Sequence, residues 1–333
     1  MNYMNKVHSI QLLRGVASLL VLIVHAFYKE EVYGEGQLGR FLYGNIGVDI
    51  FFIISGFVML YTLNSNKSAS QFLIKRAIRI LPVYWATLSI VIVVYLLFPS
   101  MVNGGRESSV VGSIFLIPMD ALFLNQNAWT LTFEFIFYFV FATVFIFNGQ
   151  FRVWGVVVIL IALVIIGQIY TFDLALLRAL TSSLLIEFLY GFVLYAFFMK
   201  FNDAQKIALI LILFLAVFLL QFVEVPSEYR MISLGIPALF ICTIVVYLEK
   251  YIARFFWRIS DFFGDISYSL YLVHPMTLFA SAVVLSYLGI SDPFIFLLAL
   301  LITSIFAGWF TFTYIEQPLT KKLQITYSEY RKR

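Results

Sequence analysis

Apolar residues fall along the chain in long blocks separated by short polar stretches. Ten of these blocks approach the roughly 20 residues needed to cross the hydrocarbon of a bilayer. They run over 9–28, 44–63, 78–98, 130–148, 153–171, 175–199, 207–223, 231–248, 266–288 and 294–315. Stretches such as 153–169 and 207–222 are apolar on every side of a helix, which leaves no face for water. The apolar segment 110–124 is too short to span and holds Pro118 and Asp120, so it is expected to be re-entrant or interfacial.

Composition agrees with lipid as the natural solvent: 62% of the 333 residues are hydrophobic and 12% charged, against about half and a quarter in soluble domains. The expected fold class is therefore all-α, a polytopic integral membrane helix bundle of about ten transmembrane helices, built as one membrane domain over 1–333. No fixed-period repeat, low-complexity stretch or appended soluble domain is visible, and 321–333 reads as a basic cytoplasmic tail. The N-terminus lacks a cleavable signal pattern, so the first block is a retained span. Cys242 is the single cysteine, which excludes an internal disulfide, and three histidines without a Cys/His cluster argue against a metal site.

Lys and Arg concentrate in alternate loops. With both termini cytoplasmic, the inner segments hold Lys6; Lys67, Lys75, Arg76 and Arg79; Arg152; Lys200 and Lys206; Lys250, Arg254 and Arg258; and Lys321, Lys322, Arg331, Lys332 and Arg333, which is 16 of 22. The outer segments hold Lys29, Arg40, Arg106, Arg178 and Arg230, and Arg14 lies in the inner half of the first span. This follows the positive-inside rule, whereas an odd span count would invert the later loops and destroy the asymmetry. Basic loops beside anionic lipid account for the net charge of +4, and no nucleic-acid partner is needed.

Ionisable side chains within spans cost a few kcal/mol each, so those that persist normally face a cavity or a partner. Arg14 and His25 share the first span, and eleven residues at 100° each bring them within about 20° of one face and roughly 16 Å apart along the axis. Snorkelling of each to its nearer interface is the alternative reading. Asp49, in the motif 47–57, sits near the outer end of the second span, where a carboxylate also suits a helix start. Ser55 and Gly56 in that motif would let a neighbouring helix approach closely. Arg76 and Arg79 share a face at the inner end of the third span and suit phosphate groups, although anchoring beside an interfacial Tyr84-Trp85 belt would look the same.

Glu134 lies about one turn inside the fourth span, with Tyr138 at i+4 able to hydrogen-bond it and Arg178 a candidate counter-charge. Glu187, mid-span, has no partner legible in sequence. In the ninth span, Pro275 cannot donate to the carbonyl of Tyr271, so the backbone opens beside His274 and offers an extra acceptor. Glu316 sits at the inner interface of the last span, and Pro318 is expected to stop that helix.

These segments, in order, resemble the acyltransferase-3 family of membrane acyltransferases. The matching pieces are 11–17 leading to His25, the motif 47–57, Arg76 and Arg79 with Pro82 and Tyr84-Trp85, 129–138, 267–275, and Glu316-Gln317-Pro318. Together they cover nearly the whole chain and are most similar to the branch that O-acetylates bacterial exopolysaccharide and O-antigen. The resemblance implies a multi-pass protein of the bacterial cytoplasmic (inner) membrane, with acetyl-CoA as co-substrate, no permanently bound cofactor, and a surface glycan as acceptor. It implies His25 as the essential histidine, with Arg14, Arg76, Arg79, Tyr84 and Trp85 on the donor side. Tyr138, Arg178 and His274 are expected on the acceptor side or in support.

On this reading, inner arginines hold the polyanionic CoA while its pantetheine arm reaches toward His25 in the outer half. His25 would act as general base on a sugar hydroxyl, or carry the acyl group transiently, with Asp49 or Glu134 orienting its ring. A proton-coupled transporter or a flippase of a glycan precursor is the alternative, since buried Arg, His, Asp and Glu suit those too. The oligomeric state is open, a homo-oligomer included.

Overall fold

The computed structural model describes residues 6–63, 68–146 and 151–331. Lys67, Lys332 and Arg333, counted above among the inner positive residues, and positions 147–148 of the fourth expected span lie outside the described residues. Among the described residues, ten helices are long and apolar enough to cross a membrane: α1 (His8–Tyr33), α2 (Tyr43–Thr62), α3 (Ala69–Leu97), α4 (Ala128–Ile146), α5 (Phe151–Ile169), α6 (Ala175–Met199), α7 (Asp203–Phe222), α8 (Ser227–Tyr247), α9 (Glu249–Tyr287) and α10 (Pro293–Tyr330). Ten crossings return the chain to the side on which it began.

Several helices extend past their apolar blocks because polar residues can continue a helix beyond the hydrocarbon. Helix α3 starts at Ala69, with Ser68 Oγ accepting from Gln71 N at 3.3 Å as its cap. This places Arg76 and Arg79 two turns or more inside the helix. Helix α9 likewise begins well before the expected 266, with a π-helical stretch Ile252–Phe256 in its first turns.

Pro318 does not stop the last helix as the sequence suggests. A π-helical stretch, Phe312–Glu316, is followed by a new α-helical run, Gln317–Tyr330. Pro318 stands at the second position of that run, directly after the π-helical turn, where the regular i→i−4 ladder is already interrupted and a missing N–H is tolerated.

Helix α6 is interrupted between Ala175–Leu180 and Leu185–Met199. The segment joining α3 to α4 turns back on itself through a short helix, Val110–Phe115, that ends at Leu116 in the left-handed region (φ 56°). Tyr84 OH donates to Ser113 O at 2.6 Å and Trp85 Nε1 to Ile114 O at 2.9 Å. Both anchors lie mid-way along α3, so the short helix folds back against the middle of that helix and does not form a span of its own.

Helix α1 lies along α9 and α2, α9 along α10, and α2 along α6. Small residues permit the closest of these contacts. A Cβ on Gly56 would stand 2.0 Å from Phe188 O, and one on Gly191 2.2 Å from Ile53 O, so the α2–α6 crossing admits only glycine at both positions. Between them the aromatic core stacks Phe137 on Phe188 at 4.3 Å and Phe52 on Phe188 at 4.9 Å. Helix α7, by contrast, exposes Ile212, Phe214 and Leu215, as a lipid-facing helix does.

Candidate active site

Helix α1 carries Arg14 and His25 on one continuous run without proline, so both project toward the same side at different depths. The close approach of α9 is set by Gly15, whose added Cβ would meet Phe263 Cβ at 2.5 Å. That contact brings the middle of α9, and with it His274, alongside the C-terminal half of α1.

There the two histidines meet. His25 Nδ1 lies 2.9 Å from His274 Nε2, and the ring centroids are 5.1 Å apart. His274 is fully buried and His25 partly so. His274 Nδ1 lies 3.0 Å from Leu270 O. The carbonyl of Tyr271, left without a helical donor by Pro275, is taken by Asn127 Nδ2 at 3.0 Å, and Asn125 Nδ2 donates to Leu272 O at 3.1 Å. The opening beside His274 expected from the proline is thus present, and two asparagines just before α4 close it. Sequence reasoning missed both; an Asn pair beside a span that must face an unsatisfied carbonyl was the available signal.

Below the histidines lies a cavity of about 280 Å³. Its walls include Lys6, Arg14, Arg76, Arg79, Glu134 and Tyr138, and at the opposite end Thr130 and Tyr271. Arg14 donates to Gln11 Oε1 at 3.1 Å, and Arg76 donates to Thr62 Oγ1 at 3.0 Å while lying over the rings of Phe72 and Tyr138. None of Arg14, Arg76 and Arg79 makes an ion pair within 4.0 Å among the described residues. Glu316, held by Ser269 Oγ at 2.5 Å, and Asp265 and Glu134 lie within longer electrostatic range of Arg14.

Tyr271 stands where the cavity meets the histidines. Its hydroxyl is 2.9 Å from Thr130 Oγ1, its ring centroid 5.8 Å from that of His274, and Phe51 packs edge-on against it at 5.5 Å. His25 itself is not on the cavity wall.

The carboxylates are placed differently from expectation. Asp49 does not orient His25: it is fully buried and held by Arg230, Nε to Oδ1 at 3.1 Å and Nη2 to Oδ2 at 2.7 Å. A guanidinium fork satisfies a buried carboxylate better than one ring N–H can. Glu187 also interacts electrostatically with this pair, which supplies the surroundings its sequence context did not reveal. Glu134 does not reach His25 either; it accepts from Ser55 Oγ at 3.1 Å and, as its i+4 spacing suggests, from Tyr138 OH.

Arg178 is not the counter-charge of Glu134. It pairs with Asp120 at 2.7 Å and donates to the carbonyls of Phe172 and Asp173, in the short helical piece before the break in α6, where its side chain is half exposed. Tyr84 and Trp85 are not on the cavity wall; their polar atoms are committed to the short helix Val110–Phe115.

The Acyltransferase domain family matches residues 7–313. The chain is 28% identical over 297 residues to the exopolysaccharide production protein ExoZ of Rhizobium meliloti, covering 85% of this chain and 92% of that protein. It is 29% identical over 141 residues to the acyltransferase MdmB of Streptomyces mycarofaciens, covering 39% of this chain and 36% of that protein. No solved structure matches it. With a basic cavity, a hydrogen-bonded histidine pair and a family match that spans all but the ends of the sequence, the chain belongs to the acyltransferase-3 family of membrane acyltransferases.

Proposed function

We propose that the chain is an O-acetyltransferase of the bacterial cytoplasmic membrane, moving an acetyl group from cytoplasmic acetyl-CoA to a hydroxyl of a surface polysaccharide or its lipid-linked precursor. The observation that carries this reading is the one cavity that joins three guanidinium groups, with no ion pair within 4.0 Å among the described residues, to Tyr271, the neighbour of the histidine pair. Guanidinium groups that line a cavity without a carboxylate in direct contact favour an anionic ligand, and their planar forks suit phosphates in particular. The excess of Lys and Arg in the loops on that side supports a cytoplasmic donor. ExoZ is by name an exopolysaccharide production protein, which supports a polysaccharide acceptor.

In this mechanism the arginines hold the CoA phosphates while the slender thioester arm extends toward Tyr271. The acceptor hydroxyl approaches from the outer side and its oxygen attacks the thioester carbonyl. As the new C–O bond forms, its proton moves to His25; the C–S bond then breaks, and His25 returns the proton to the thiolate. Acetyl ester and CoA thiol leave with no net proton gained or lost. Attack by His25 itself, giving a transient acetyl-imidazole, uses the same groups in two steps.

Mass spectrometry of the surface glycan from cells with and without the chain tests the reading. Acetyl esters are expected to disappear when the chain is deleted and to return with the wild-type sequence. Unchanged acetylation on deletion would refute it, and a missing glycan in place of an unacetylated one would favour a flippase.

A further inference from the structure

We propose that His274 is a positioning residue that fixes the tautomer of His25, presenting Nε2 as the basic nitrogen. This rests on the catalytic role proposed for His25, but the tautomer itself is a property of the resting protein.

The argument starts at the backbone. Pro275 leaves the carbonyl of Tyr271 free, and a carbonyl can only accept, so the Asn127 atom 3.0 Å away is its amide nitrogen. That nitrogen is also 3.3 Å from His274 Nε2. Two N–H groups cannot face each other, so Nε2 of His274 carries a lone pair. On the other side of the ring, Nδ1 is 3.0 Å from Leu270 O, again an obligatory acceptor, so Nδ1 carries the hydrogen. Both contacts select one neutral tautomer of a fully buried ring.

The choice then propagates. His25 Nδ1, 2.9 Å from the lone pair on His274 Nε2, must be the donor. A neutral imidazole has one hydrogen, so His25 keeps its lone pair on Nε2, the nitrogen pointing away from His274. Asn127, Leu270 O and the proline thus determine, through His274, which atom of His25 accepts a proton.

The same contact serves the charged intermediate. When His25 Nε2 takes the acceptor's proton, Nδ1–H becomes a charged donor to His274, and charge-assisted bonds are about twice as strong as neutral ones. His274 stays neutral throughout, and the proton leaves again from Nε2 to the thiolate. A second histidine so performs the orienting task that a carboxylate performs in a Ser-His-Asp triad.

The test uses the full chain in nanodiscs with ring-¹⁵N histidine. The chain has 3 histidines, so each signal is assignable by substitution. Wild type is expected to show His25 and His274 both hydrogen-bearing at Nδ1 and bare at Nε2. In His274→Ala the His25 signals should move toward exchange between tautomers. Glycan acetylation should fall by about 10- to 100-fold, while binding of acetyl-CoA, titrated separately, stays at wild-type affinity. A wild-type His25 protonated at Nε2, or full acetylation by His274→Ala, would overturn the proposal. If that variant does not fold, the wild-type spectrum decides alone. If instead His25→Ala remains active while the spectrum is as expected, the reading of His25 as catalyst fails and the tautomer assignment stands.

Discussion

Arg230 grips Asp49 through two hydrogen bonds, at 3.1 and 2.7 Å, across 181 positions of sequence. The carboxylate is fully buried and the guanidinium keeps 27% of its side chain exposed. The pair ties the start of α8 to the N-terminal end of α2, and a further Arg230 bond to Asn45 O, at 2.9 Å, strengthens the tie.

Breaking this pair from one side leaves a charge without its partner. Arg230→Ala strands Asp49 beside Glu187 and should cost about 3 kcal/mol of stability. Asp49→Ala should cost less, because Arg230 can turn toward the outer surface. The double variant should lose less than the two singles together. Thermal unfolding in one detergent, compared across the three, measures this.

His25→Ala and His25→Gln should abolish acetylation of the surface glycan while leaving expression and acetyl-CoA binding intact. Each removes the proposed base without touching the inner arginines. Wild-type acetylation by either would move the chemistry elsewhere.

Arg76→Ala should weaken acetyl-CoA binding by about tenfold or more, the scale of one charged hydrogen bond. Arg76→Lys should recover only part of it, since an ammonium group neither forks onto a phosphate nor stacks between Phe72 and Tyr138 as the guanidinium does. Calorimetric titration of the purified variants reads this, and unchanged affinity would assign the residue to topology alone.

Tyr84→Phe removes the side-chain donor to the carbonyl of Ser113 and should destabilise the protein by about 1–3 kcal/mol. Acetyl-CoA affinity should stay unchanged, because Tyr84 does not reach the cavity. A loss of affinity without a loss of stability would restore it to the donor site.

Gly56→Val should prevent accumulation of folded protein, since its side chain would begin 2.0 Å from Phe188 O at the α2–α6 crossing. Quantification of detergent-soluble, monodisperse protein is the measurement.

Much of this arrangement is legible in one dimension because lipid imposes a strong rule. A backbone in hydrocarbon must satisfy itself, so every long apolar block becomes a helix, and each costly ionisable residue within a block marks a place that is not lipid. The short piece before α4 that is not a span, the Glu134–Tyr138 contact and the carbonyl that Pro275 leaves without a helical donor follow from the same local reasoning, since each involves spacing within a single helix or segment.

What the sequence by itself determined is therefore the number of spans, the short range of each one's contacts, and the residues that lipid would not tolerate. Tertiary structure alone decided which of those residues meet. Asp49 and Glu134 lie on blocks that either could have turned toward His25, and Arg178 could have faced Glu134. Packing of α1 against α9 at Gly15, and of α2 against α6 at Gly56, set the rotations that gave Asp49 to Arg230, Glu134 to Tyr138 and His25 to His274. A helix's face is written in its own sequence, but its partner depends on how close two backbones can come, and that is a property of both.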